Sequence, residues 1–238
     1  MPDLATLAIL ALAGAVQGFL GFGFGIVAMS ALTLSHDLLH AAGVVNLVGM
    51  VATIWQLLRL RAHVLWPVAA AILPTLLLGV LLGVTALRTL DRHLMVQALG
   101  VTTVGIAAWN LWRPRLQRRE SRGVNAVVGL LAGVLGGAFN TGGPPLIAHL
   151  YRRSESPDAI RGTVQALFLA ISTSRALTSA AQGLFDAAIV ETAVIAVPAM
   201  GVGLLAGFAL SRRIGPDRFR RASWVALGVL GTVLILRG

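Results

Sequence analysis

Residues 136–145 read GGAFNTGGPP, inside an otherwise apolar run. The Asn140 amide, the Thr141 hydroxyl and the backbone N–H groups of Gly142 and Gly143 stand together there. Pro144 and Pro145 fit the first turn of a new helix, where proline's missing N–H costs little. Donors at a helix N-terminus carry a partial positive charge, so this group suits an anion. A second stretch, GFGFG at 21–25, offers Gly23, Gly25 and the N–H groups that follow, and Gln17, Asn46 and Gln165 could supply further amides. The sharpest single residue is Arg175, in AISTSRALTS, about midway along an apolar segment. An ionisable side chain at membrane depth marks a functional site by default. A planar guanidinium among Ser172, Thr173, Ser174 and Thr178 makes a fork for an oxyanion. The competing readings are a tie to a helix C-terminus or to Glu191, and snorkelling to the interface. Arg153 and Arg161 read as ordinary charges of the cytoplasmic rim.

Other chemistries find little support. His36 and His40 in HDLLH stand four apart, as in zinc-protease helices, yet no third ligand has a matching signature and no metal site is expected. GFGFG lacks the soluble strand–turn–helix unit that a dinucleotide fingerprint requires, so no cofactor is expected either. No G-x-S-x-G elbow or Ser/His pairing points to a hydrolase, and cysteine is absent. The chain does not read as an enzyme. Of the acids only Glu191 is at all deep, which leaves little to hold a cation or relay a proton.

The elements carrying these residues must lie in a bilayer. Of 238 residues 57% are hydrophobic and 12% charged, with a mean hydropathy of +0.84. A soluble domain carries about a quarter charged residues. Eight apolar runs follow one another, at 4–34, 38–58, 64–87, 94–112, 123–150, 162–185, 187–211 and 222–236. Most reach or approach the ~20 residues a helix needs to cross hydrocarbon. The first run lacks a positive n-region and a cleavage site, so it reads as retained. The expected fold is all-α and polytopic. The net charge of +10 comes from 19 arginines against 9 acids. Arginines at segment ends are topology signals, and a nucleic-acid partner is not expected.

An internal repeat organises the runs. GAVQGFLGFGFG (14–25) aligns with GLLAGVLGGAFN (129–140), placing Gly14, Gly18 and Gly21 over Gly129, Gly133 and Gly136. GVVN (43–46) aligns with GTVQ (162–165), LPTLLLGVLLG (73–83) with VPAMGVGLLAG (197–207), and TLDRH (89–93) with GPDRF (215–219). Two membrane repeats, 1–112 and 123–238, joined by an arginine-rich cytoplasmic linker at 113–122, are the expected organisation. Gly79/Gly83 and Gly203/Gly207 read as small-xxx-small packing pairs.

If all eight segments cross, alternate faces hold 8 and 10 arginines, with no bias. If segment five enters and returns, the loops around Arg59, 113–122, 152–161 and 212–221 share one face. The count is then 15 against 3 (Arg88, Arg92, Arg237). GGAFNTGGPP would be the tip of that hairpin, tolerated where it is buried in protein or lines a watery cavity. Segment one, straight, would reach ~46 Å, too long to span unbroken. Breaks in both first segments imply halves of opposite orientation with a substrate where the breaks meet, a transporter architecture.

Two halves that each open with a glycine-rich broken segment, the second reading GLLAGVLGGAFNTGGPPLIAHLY (129–151), resemble the sulfite exporter TauE/SafE family, also described as toluene sulfonate uptake permease-like. The resemblance covers nearly the whole chain. FNTGGPPL is its most specific piece, while GFLGFGFG carries Phe24 where a further glycine is common. It implies a multi-pass carrier of the bacterial inner membrane for small sulfur-containing anions, working as a homodimer. Gly21, Gly23 and Gly25, and Asn140, Thr141, Gly142, Gly143 and Pro144, occupy the matching positions. An anion channel, a carboxylate carrier, a cation transporter and a non-transporting scaffold are the other readings.

Overall fold

The computed structural model describes residues 2–33, 35–89, 121–151, 156–183 and 185–213, with scattered positions in 91–108 and 225–236. Apart from those positions, segments four and eight and the linker through residue 120 lie outside the described residues. Among the described residues there is helix and no strand. The helices are α1 Leu4–Leu20, α2 Phe24–Leu32, α3 Leu38–Leu60 with a 3-10 turn Arg61–His63, α4 Trp66–Thr89, α5 Arg122–Phe139, α6 Gly143–Leu150, α7 Pro157–Ala181 and α8 Ala187–Ser211. Asp3, Asp37, Ser121, Ser156 and Asp186 cap α1, α3, α5, α7 and α8 by accepting a hydrogen bond from a backbone N–H two or three residues on.

Four stretches, Leu38–His63, Trp66–Leu87, Arg122–Phe139 and Ala187–Ser211, are long and apolar enough to cross a membrane, and α1 is a shorter apolar helix. Leu58, Leu78, Leu82, Val194 and Val202 are exposed on their outer faces. So much bare aliphatic surface suits contact with lipid. α7 is different. It carries Arg161, Gln165, Ser172 and Arg175 as buried residues and packs against α3 and α4.

Both first segments are interrupted. α1 ends at Gly21 and α2 begins after Gly23, both in the left-handed region with φ of 82° and 99°. α5 ends at Asn140, φ 56°, and α6 begins after Gly142, with Pro144 and Pro145 in its first turn. Asn140 is the one non-glycine residue with positive φ among the described residues. Asparagine tolerates that conformation better than most side chains. α1 and α2 form a hairpin, since Thr6 Oγ1 in the first turn of α1 lies 3.0 Å from His36 Nε2, just past α2.

α1 lies along α8, and α5 along α4. Both pairs run parallel with backbone against backbone. A Cβ on Gly14 or Gly18 would strike the Met200 or Leu204 carbonyl, and one on Gly203 or Gly207 those of Ala11 or Ala15. Likewise Gly133 and Gly137 meet Leu76 and Val80, while Gly79 and Gly83 meet Leu130 and Val134. In a bilayer, where apolar burial does not drive helices together, small residues permit this approach.

These contacts correct the sequence alignment by one helical turn. Equivalent packing matches Gly14 with Gly133, Gly18 with Gly137 and Gly21 with Asn140. Gly129, Gly133 and Gly137 recur every four residues, so the pattern looks the same after a one-turn slip. α7 also starts five residues before the expected 162, because Ser156 and Pro157 form its cap and first turn. Arg161 therefore lies inside a helix and is buried, not an open surface charge.

Candidate functional site

The two breaks touch. A Cβ on Gly25 would strike the Asn140 carbonyl oxygen, and Gly143 faces Phe22 and Phe168. Between them lies a cavity of about 40 Å³. One buried water needs ~10–15 Å³ on that scale, so a small ion has room. Its polar lining is Gln17, Thr53, Asn140, Thr141 and Ser172, with backbone from Gly23 to Gly25 and Gly142 to Gly143. Phe24, Phe168 and Ile171 supply apolar walls. The first turns of α2 and α6 both open on it, and the first N–H groups of a helix have no partner within it. The Phe24 N–H is taken by Gln17 Oε1 at 3.2 Å. Those of Gly25 and Ile26 follow in the same turn.

Buried amides hold the first break. Gln165 Nε2 donates to the Gly21 carbonyl at 2.7 Å and to Gln56 Oε1 at 2.6 Å. Gln56 Nε2 donates to the Gln17 carbonyl at 3.2 Å, and Gln17 Nε2 to Gln165 Oε1 at 3.4 Å. Every amide group of the three is partnered, as burial in a low-dielectric interior demands. Arg161, 8% exposed, adds a charged cap: Nη2 donates to the Phe19 carbonyl at 2.8 Å and Nη1 to Ser211 Oγ at 3.3 Å.

The second break is held differently. Arg175, 3% exposed, donates from Nη1 to the Gly136 and Ala138 carbonyls at 3.4 and 3.2 Å, in the last turn of α5. Asn140 Nδ2 donates to the Ala42 carbonyl at 3.3 Å, and the Thr141 hydroxyl to the Leu135 carbonyl at 3.3 Å. Asn46 Nδ2 donates to the Ser172 carbonyl at 3.4 Å, leaving Oδ1 buried without a partner.

Of the ten residues singled out from sequence, Gln17, Gly23, Gly25, Asn140, Thr141, Gly142 and Gly143 line the cavity. Asn46, Gln165 and Arg175 do not line it. Gln165 braces the first break, and Arg175 holds the C-terminal turn of α5, one helical turn beyond Ser172. Thr53, Gln56 and Arg161 were not singled out as site residues. Thr53 and Gln56 lie in an apolar run, and Arg161 sits at the end of a charge cluster. The one clue is spacing: Thr53 and Gln56 stand 119 residues before Ser172 and Arg175, the same shift that matches Asn46 to Gln165. Among the described residues no three metal-ligating side chains gather.

The profile of the family described as Sulfite exporter TauE/SafE matches residues 6–234. A protein of Cupriavidus necator named "Probable sulfite/organosulfonate exporter TauE" is 33% identical over 244 residues, which cover 99% of this chain and 94% of that protein. The "Probable inner membrane transporter protein TsaS" of Comamonas testosteroni is 32% identical over 180 residues, 72% of this chain and 73% of its own. No solved structure matches. A match along nearly the entire chain, falling on the same two broken hairpins that meet at the cavity, places this membrane protein in the TauE/SafE sulfite exporter family.

Proposed function

We propose that the chain is a secondary transporter of small sulfur-containing anions such as sulfite or organosulfonates. The anion sits between the two breaks, and the two halves rock around it to open either face. The observation that carries this is the convergence of two half-helix N-termini on one polar cavity that holds no carboxylate. Backbone N–H groups of α2 and α6 and the Thr53 and Ser172 hydroxyls hold the oxyanion, and the Arg175 charge favours it from one turn away. The relatives' names supply the substrate class.

Two features support opposed four-segment repeats. α3 and α7 occupy matched places 119 residues apart yet run antiparallel, since Asn46 bonds Ser172 and Gln56 bonds Gln165. Residues from Arg59, Ser156, Arg161 and Arg212 also line one common hollow. That favours a segment five that re-enters and puts the arginine-rich loops, with the 113–122 linker, on the cytoplasmic face of the inner membrane. The homodimer implied by the family is part of the same proposal.

The test is thermal stabilisation of the purified protein by sulfite, sulfate, thiosulfate, alkyl and aromatic sulfonates, carboxylates and alkali cations, with flux measured in liposomes. A true ligand at a hundred times its dissociation constant stabilises by ~2.7 kcal/mol. Stabilisation by sulfur oxyanions with saturable flux is expected. A response to cations alone, or to nothing, overturns the substrate class, and flux without saturation overturns the carrier.

A further inference from the structure

We propose that the hollow of about 650 Å³ between α3, α7 and α8 is a second anion site, an antechamber for the transported oxyanion on the arginine-rich face, with Arg161 as its floor and latch. This rests on the transporter reading above. Among the described residues, Arg59, Arg161 and Arg212 line the hollow with His63 and one acid, Asp158. Two of the cations are held by the fold. The Arg59 guanidinium lies 4.5 Å from the centre of the Trp55 ring and 5.8 Å from that of Phe208, and those rings meet edge-to-face at 5.6 Å. A guanidinium stacked on aromatic faces is oriented before a ligand arrives. Arg161 is oriented by Phe19 and Ser211.

Arg161 also separates the hollow from the first break. Its side chain lies over Gly21, where a Cβ would come within 2.8 Å of Arg161 Cγ. One turn further along α7, Gln165 holds the Gly21 carbonyl from the inner side. One guanidinium thus joins the last turn of α1, the end of α8 and α7 itself. Two of its acceptors are neutral, the Phe19 carbonyl and the Ser211 hydroxyl. An oxyanion in the hollow is a stronger, charge-assisted acceptor that takes a guanidinium on two N–H groups at once. Its arrival draws Arg161 off Phe19 and Ser211 and frees the ends of α1 and α8 to part. The layer of Gln17, Gln56 and Gln165 is then the last barrier before the central cavity.

The experiment uses the absence of cysteine. His63→Cys places one thiol on the wall of the hollow, and the purified full chain is labelled with a maleimide. Methanesulfonate, which does not consume the reagent, is the probe. It is expected to slow labelling at least threefold and to lose that effect in Arg59→Gln/Arg212→Gln. Protection should persist in Thr53→Val/Ser172→Ala, which weakens the central site. In liposomes, Arg59→Gln/Arg212→Gln raises KM about tenfold for flux entering from the arginine-rich face, and Vmax/KM falls by the same factor in both directions, as zero net flux at equal concentrations requires. Arg161→Lys retains more of the wild-type rate than Arg161→Gln.

Absence of protection at concentrations that saturate transport overturns the antechamber, as does loss of protection on substituting Thr53 and Ser172. So does protection by phosphatidylglycerol but not methanesulfonate, which makes the hollow a lipid headgroup site. Wild-type protein that transports no sulfonate defeats the function proposed above instead, whatever the labelling shows.

Discussion

Replacing Arg175 by glutamine separates two duties that its geometry allows. Arg175 caps the last turn of α5 through Nη1, with contacts of 3.2 and 3.4 Å to neutral carbonyls. Charged hydrogen bonds net ~1.5–3 kcal/mol in water-soluble proteins, but interhelical bonds within membranes average ~0.6 kcal/mol. Both contacts are long, so Arg175→Met, which removes them, should lose about 1–3 kcal/mol of stability by those scales. Arg175→Gln retains an N–H donor and sheds the cost of a buried charge, ~2.5–3.5 kcal/mol on insertion scales. Its stability should fall within about 1 kcal/mol of wild type, since the two changes offset each other. Affinity should behave otherwise. Losing a unit charge about one helical turn from the anion, ~2–3 kcal/mol at an effective dielectric of ~20, raises the dissociation constant about thirty- to hundredfold. The assay is a ligand-dependent melting shift for a sulfonate, read beside the ligand-free melting temperature of each variant. Wild-type affinity in Arg175→Gln would refute the reasoning, because Arg175 would then be a helix cap alone.

Gly25→Ala should abolish transport even where the protein is made, because the new methyl group must displace the Asn140 carbonyl from the meeting point of the breaks; flux in liposomes reads this. Thr53→Val and Ser172→Ala should each weaken sulfonate binding about tenfold, the worth of one hydrogen bond, with melting temperature nearly unchanged. Gln56→Leu should destabilise by ~1–3 kcal/mol, since it leaves one Gln165 N–H unpaired and the Gln17 carbonyl with the Gly21 N–H alone, as thermal unfolding would show. Single cysteines at Gln117 and Ser154 should both resist an external impermeant reagent in cells; opposite labelling would mean that segment five crosses and would end the inverted-repeat proposal.

Much of this was legible from residue types alone. Glycine and proline punctuate the chain at 21–25 and 140–145, because few other residues adopt the left-handed region or open a helix without an N–H. Segment ends followed from charge, and α8 spans the same 187–211 read from the sequence. What stayed hidden depends on partners distant in sequence. Gln17, Gln56 and Gln165 are separated by up to 148 residues, and no local pattern says that they bond one another instead of a ligand. The Asn140 amide and Thr141 hydroxyl, read as free donors, are already engaged by backbone carbonyls. The repeat register slipped because glycine zippers look alike after a one-turn shift, whereas backbone contacts do not.

The corrected register has a consequence for transport. A shift of 119 residues sets Gln56 beside Arg175, and Arg161 beside Ala42. Thr53 and Ser172 are hydroxyls in both halves, and Gly23 and Gly142 are glycines in both. Across the halves the lining matches at the Gly23/Gly142 and Thr53/Ser172 pairs, whereas Gln17, Asn140 and Thr141 fall beside Gly136, Gly21 and Phe22, and the residues that hold the breaks do not match either. A neutral amide network braces one break and a cation braces the other, and the Arg161 latch has an alanine as its counterpart. If the halves were identical, opening to either face would be equal in free energy, because one state would be the other turned over. The unequal bracing removes that equality. In a two-state carrier a difference of ~1.4 kcal/mol already sets a tenfold preference for one face.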